Sequence, residues 1–153
     1  MPDIYLDDFQ PGQVRECGQH LVTKEDIIEF ATRYDPQPFH TDEAAAQASP
    51  YGGLIASGWM TCALAMRMVC DGYLLRAASL GSPGVDQVRW LRPVRPGDVL
   101  RMRVTIREVR VSQSKPDRGI VRTGWEMFNQ RDELVLTTEG TGMFMRRPAA
   151  AGA

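Results

Sequence analysis

Between Thr23 and Asp35 the apolar positions repeat at helical spacing. Ile27, Phe30, Ala31 and Tyr34 follow Thr23-Lys24-Glu25-Asp26, a start that offers an N-cap and an acidic first turn. The pattern predicts a short amphipathic helix ending near Asp35, because Pro36 and Pro38 each push the preceding residue towards an extended conformation. The same prolines predict a rigid loop carrying Asp35 to His40. A second apolar stretch of 13 residues, Leu54 to Met66, is broken by Arg67 and is too short for a membrane span of roughly 20. From Trp59 to Cys70 only Thr61 and Arg67 are polar, so apolar side chains fall on every face, as in a helix inside a protein.

The second half changes period. Leu100, Met102, Val104 and Ile106 alternate with Arg101, Arg103, Thr105 and Arg107, the signature of a half-buried strand. Val109 and Val111 then fall on the positions that had been polar, which predicts a bulge near Glu108 in a long, bent strand. Pro116-Asp117-Arg118-Gly119 reads as a turn, Val121 to Met127 as a second strand, Asn129 to Asp132 as another turn, and Leu134 to Met145 as a third strand. These three predict an antiparallel meander. The expectation is an α+β domain over residues 1–147, a helical first half followed by a curved antiparallel sheet wrapped around a long buried central helix. A disordered tail is expected over 148–153.

Composition narrows the function classes. With 153 residues, 43% of them hydrophobic and 24% charged, the chain has the balance of one globular domain with a real core. Eighteen basic and 19 acidic side chains give a net charge of -1, which argues against a generic nucleic-acid or membrane-surface binder and for a discrete small-molecule ligand. Cys17, Cys62 and Cys70 form no C-x-x-C pair, so neither a disulfide framework nor a zinc site is indicated, and a reducing compartment is expected. The opening Met-Pro-Asp-Ile-Tyr lacks the form of a signal peptide. The expected location is cytoplasmic. Lys24 and Lys115 are the two lysines; the remaining cationic residues are arginines, seven of them between Arg89 and Arg110 against only Asp98 and Glu108. A solvated strand face and a phosphate-gripping surface both fit that surplus.

Two constellations carry candidate chemistry. Tyr34-Asp35-Pro36-Gln37-Pro38-Phe39-His40-Thr41-Asp42 holds a carboxylate and an imidazole on a proline-braced segment, and bracing suits an acid/base pair that must stay fixed relative to its substrate. Equally, Asp35 could cap the chain reversal and His40 could be a satisfied structural histidine. Gly52-Gly53-Leu54-Ile55-Ala56-Ser57-Gly58-Trp59 leads into the apolar helix. A helix N-terminus presents unpaired N–H groups, and a glycine there admits a ligand close to the backbone. A plain turn with Ser57 as N-cap fits the same residues.

Taken together the motifs resemble those of the MaoC-like dehydratases and (R)-specific enoyl-CoA hydratases of the hot-dog fold, over nearly the whole length. Asp8-Phe9-Gln10-Pro11-Gly12-Gln13 is similar to that family's opening segment, and Thr23 to Ala31 to its first helix. Its hydratase signature, an Asp followed by Asn-Pro, an apolar residue, a His and then an Asp, reads here as Asp35-Pro36-Gln37-Pro38-Phe39-His40-Thr41-Asp42. Gly53 to Gly58 resembles the segment whose last glycine begins the central helix. Arg92-Pro93-Val94-Arg95-Pro96-Gly97-Asp98 resembles the family's Pro-Val-x-x-Gly-Asp turn.

The resemblance implies an enoyl-CoA hydratase or 3-hydroxyacyl-thioester dehydratase. Asp35 and His40 would form the acid/base dyad and Gly58 the oxyanion donor, with Phe39, Ile55 and Trp59 lining the acyl site. It further implies an acyl-CoA or acyl-carrier thioester as substrate, no cofactor and no metal, and a homodimer or dimer of dimers with sheets joined edge to edge. Three positions depart from the usual pattern: Gln37 stands for Asn, Ser57 for a common His, and Met66 for a serine of some hydratases. The alternatives are a non-catalytic acyl-binding or partner subunit of the same fold and a hot-dog thioesterase.

Overall fold

The alternation at Leu100, Met102, Val104 and Ile106 produces β3 (Val99–Val111), whose even-numbered side chains are fully buried up to Ile106. The register against β4 (Arg118–Phe128) shifts between Ile106 and Glu108, where the period slip predicted a bulge. β4 pairs with β5 (Leu134–Met145) across the Asn129–Asp132 turn. Asn129 Oδ1 holds that turn by accepting from the N–H groups of Arg131 and Glu133. The expected meander is present, and all pairings in the sheet are antiparallel. The computed structural model describes residues 1–150. The tail expected over 148–153 thus lies partly outside the described residues, and its described part carries no helix or strand.

Two further strands complete the sheet. β1 (Val14–Leu21) pairs with β3 and β2 (Ser79–Trp90) with β5, giving the order β1-β3-β4-β5-β2. The first half is therefore not wholly helical. Both additional strands are edges, and edge strands face less packing demand, so neither carries clean alternation. β1 is broken by a register shift between Cys17 and Gln19, and β2 by three shifts around its glycines.

Helices α1 (Lys24–Tyr34), α2 (Pro38–Thr41), α3 (Glu43–Ala48) and α4 (Gly58–Gly72) lie between β1 and β2. In α1, Thr23 caps the N-terminus by accepting from the Asp26 N–H, and Ile27 and Ala31 are fully buried. α4 buries Met60, Thr61, Ala65, Met68 and Val69 against the sheet. It is central, but its burial within the chain is one-sided: Trp59 and Met66 are 60% and 45% exposed. Its all-apolar sequence reflects a buried face plus an apolar open face. Among the described residues no helix is long and apolar enough to cross a membrane.

Candidate active site

The segment from Asp35 to His40 is a short extended link followed by a helical turn, rather than a loop throughout. Asp35 ends α1, its N–H donating to Ala31 O at 2.9 Å, and Pro36 prevents continuation. Pro38 then occupies the first turn of α2, where a missing N–H does no harm. His40 thereby stands on a rigid turn against the end of α1. Asp42, the second acid of the motif, is committed to capping α3 through the Ala45 N–H at 2.9 Å.

His40 is buried. Its Nδ1 lies 2.7 Å from the Ile55 carbonyl, and a carbonyl only accepts, so Nδ1 carries the proton of that bond. Nε2 then faces Asp35 Oδ2 at 3.3 Å. Two bare acceptors would repel at that range, so the contact is attractive when a proton sits on Nε2. The Ile55 segment is itself fixed. Ile55 N–H donates to Phe39 O at 3.2 Å and Ala56 N–H to Val94 O at 2.8 Å. This explains the Pro-Val-x-x-Gly-Asp turn: Val94 ties down the segment that leads into α4, Gly97 supplies a positive φ of 88°, and the buried Asp98 carboxylate accepts from the Arg95 N–H and Gln130 Nε2.

Asp35 has two more partners. Gln37 Nε2 donates to Oδ1 at 2.8 Å, and Ser57 Oγ donates to Oδ2 at 2.7 Å. Burial pushes the Asp35 carboxyl up, but these two hydrogen bonds and the neighbouring His40 outweigh it and leave it below its ordinary value. Two of the three positions that depart from the family pattern, Gln37 and Ser57, thus converge on one carboxylate. Ser57 is fully buried and also accepts from the Trp59 N–H at 3.3 Å as the N-cap of α4. The next N–H, that of Gly58, has no protein acceptor among the described residues. It points from a helix N-terminus, where partial positive charge accumulates.

A single cleft of about 470 Å³ brings these groups together. Asp35, His40, Gly58, Phe39, Ile55 and Trp59, the six residues singled out from the sequence, all line it. A carboxylate, an imidazole and a free N–H open to one space can move a proton on a bound molecule and stabilise an oxygen that gains negative charge. Sequence reasoning counts Trp90 among the large side chains able to shorten an acyl tunnel but does not place it; it lines the cleft, and its Nε1 donates to Gly58 O at 2.8 Å. It sits on the unrecognised strand β2, with no local motif to flag it. The contact of Ser57 with Asp35 was equally hidden, since 22 positions separate them.

The arginine-rich stretch resolves mostly as a solvated face. Arg92, Arg101, Arg103, Arg107 and Arg110 pair with Glu133, Asp132 and Glu16, Glu16, Glu139 and Glu108 respectively. Arg95 instead donates to Tyr51 O at 2.7 Å. Among the described residues, no group of three or more His, Cys, Asp or Glu side chains is gathered to hold a metal.

Comparison with known proteins places this geometry in context. The family model described as MaoC like domain matches residues 8–125. The solved structure of a MaoC-like dehydratase from Rhodospirillum rubrum is similar, with a TM-score of 0.88 and 38% identity over 95% of this chain and 99% of that one. The uncharacterized protein YdeM of Bacillus subtilis is 32% identical over 135 residues, 88% of this chain and 94% of its own length. The 3-hydroxyacyl-thioester dehydratase Z of Mycobacterium tuberculosis is 35% identical over 82 residues, 52% of this chain and 54% of that protein.

Proposed function

The chain belongs to the MaoC-like domain family, and on that premise we propose that it is a hydro-lyase, adding water across the 2,3-bond of an enoyl thioester or removing it from a 3-hydroxyacyl thioester. The observation that carries this reading is the meeting, in one cleft, of the Asp35–His40 contact and a Gly58 N–H that has no protein acceptor among the described residues. The thioester carbonyl oxygen accepts from the Gly58 N–H, which stabilises the enolate formed when C3 is attacked. Asp35, held ionised by Gln37 and Ser57, orients a water and takes its proton as the oxygen bonds to C3. The π electrons move towards C2, which receives the proton of His40 Nε2. Transfer of the captured proton from Asp35 to His40 across their 3.3 Å contact resets the pair. Dehydration runs the same steps backwards.

Phe39, Ile55 and Trp59 bound the acyl group, and the thiol carrier is coenzyme A or an acyl carrier protein. The protein works in the cytoplasm as a homodimer or dimer of dimers, its sheets joined along β2. That strand supports the assignment because it is an unpaired edge with exposed Val85 and Trp90. The test is loss of the enoyl-thioester ultraviolet absorbance with a panel of trans-2-enoyl-CoA substrates. Loss in the wild type that vanishes in His40→Ala is the expected result. Absence of loss at every chain length, or equal activity in Asp35→Asn and wild type, overturns the reading. Thiol release from saturated acyl-CoA is not expected and would point to a thioesterase.

A further inference from the structure

Gly58 opens α4 without a left-handed φ, so no dihedral demands a glycine there. The reason lies across the cleft. A Cβ at Gly58 would sit 2.5 Å from Cε2, 2.7 Å from Nε1 and 2.9 Å from Cδ2 of Trp90. Position 58 has no side chain because the Trp90 indole fills the space of one. The same indole donates its N–H to Gly58 O at 2.8 Å, which clamps the start of α4 to strand β2. Trp59 braces that ring edge-on, with centroids 5.2 Å apart and planes at 80°. The peptide before Gly58 is held by other partners. Ser57 O accepts from the Thr61 N–H at 3.1 Å and from the Thr61 hydroxyl at 3.4 Å, while Ser57 Oγ is bound to Asp35 and to the Trp59 N–H. Of the two peptide units that meet at the Gly58 Cα, the first is fixed by Thr61 and the second by Trp90.

We propose, resting on the hydro-lyase reading, that Trp90 is a positioning residue for the reaction: by covering the Gly58 Cα and holding its carbonyl, the indole aims the Gly58 N–H at the oxygen that becomes the enolate. A bare glycine in the first turn of a helix is loosely held, since it has no Cβ to pack and its N–H has no intrahelical acceptor. A donor stabilises developing charge best when it is in place before the charge appears. Its bond to the enolate is stronger than its bond to the ground-state thioester. Loss of aim therefore falls on kcat and leaves substrate binding almost as it was.

The experiment compares wild type with Trp90→Phe, which keeps an aromatic ring without the N–H, and Trp90→Leu, which lacks both. Each is checked for fold by circular dichroism, and the 45% exposure of Trp90 makes folding of both expected. In Trp90→Phe, kcat for trans-2-butenoyl-CoA should fall about tenfold, less than the roughly 10²–10³-fold loss that follows outright removal of such a donor. KM and the affinity for saturated butyryl-CoA should stay within about twofold of wild type. Trp90→Leu should lose at least as much rate. Ser57-Gly58 is the one Ser-Gly pair in the chain, so cell-free protein carrying carbonyl-¹³C serine and ¹⁵N glycine gives a single correlated amide signal, that of Gly58. Its order parameter in the ligand-free protein should fall from the rigid range of about 0.85 in wild type towards about 0.6 in Trp90→Phe. An unchanged kcat, a loss carried by KM or butyryl-CoA affinity instead, or an unchanged order parameter overturns the proposal. Failure of the hydro-lyase reading would register separately, as a wild type that turns over no trans-2-butenoyl-CoA while the order parameter still falls in Trp90→Phe.

Discussion

The two cavities that Trp59 borders have nearly equal volume, about 470 and 490 Å³, and different chemistry, the first mixing polar with apolar groups and the second chiefly apolar. The first owes its character to directed bonds: three groups converge on the Asp35 carboxylate, and a backbone carbonyl fixes His40. The second owes its character to side chains that make few such bonds. Directed bonds define a site within tenths of an ångström, and their loss is felt in rate. Apolar walls define a space within the size of a methyl group, and changes there are felt in what fits. The catalytic cleft should therefore be brittle towards substitution and the cavity behind it tunable.

The largest expected effect is on the brittle side. Asp35→Asn or His40→Ala should lower turnover of enoyl-CoA substrates by about 10³-fold, with circular dichroism unchanged. Comparable rates would erase the contrast between the two spaces. Gly58→Ala drives a methyl group into the Trp90 ring. It should lower the rate and reduce stability by about 1–3 kcal/mol, read by kinetics and thermal melting together.

Ser57→Ala removes both an N-cap, worth about 1 kcal/mol in denaturant unfolding, and a hydrogen bond that holds the Asp35 carboxyl below its ordinary value. A carboxylate so lowered keeps its ionised-state function at neutral pH and loses it as pH falls through the folded value. Removing a lowering contact moves that loss upward, so the acid limb of the pH–rate profile should shift to higher pH in Ser57→Ala while Ser57→Thr stays near wild type. The smallest effect belongs to the outer sheet face, remote from both spaces. Arg103→Gln breaks an exposed pair with Glu16 and should leave the chemical-unfolding midpoint close to that of wild type.

The same contrast decides what could be read without coordinates. Asp35, Phe39, His40, Ile55, Gly58 and Trp59 fall within one stretch of chain, on segments whose prolines, glycines and helix start declare the local backbone. β3 and β4 declare themselves because each packs one face on the core and alternates over much of its length, and β5 because a β-rich run follows a clear turn. β1 and β2 are edges with bulges, and β2 is exposed along nearly all its length, so no alternation marks them. Trp90 could not be placed beside Gly58 while its strand was invisible. The open face of α4 was hidden for a different reason, since an apolar helix sequence reads the same whether a face packs inside its own chain or stays uncovered.

The carbonyl that receives the His40 proton belongs to Ile55, a residue whose side chain also faces the cleft. Every amino acid supplies that same carbonyl. Position 55 can therefore exchange one side chain for another, and reshape the floor of the site, while the tautomer of the imidazole is inherited unchanged. Substrate preference and proton chemistry are uncoupled at a single residue, which leaves a lineage free to explore new acyl groups without first dismantling its acid/base pair.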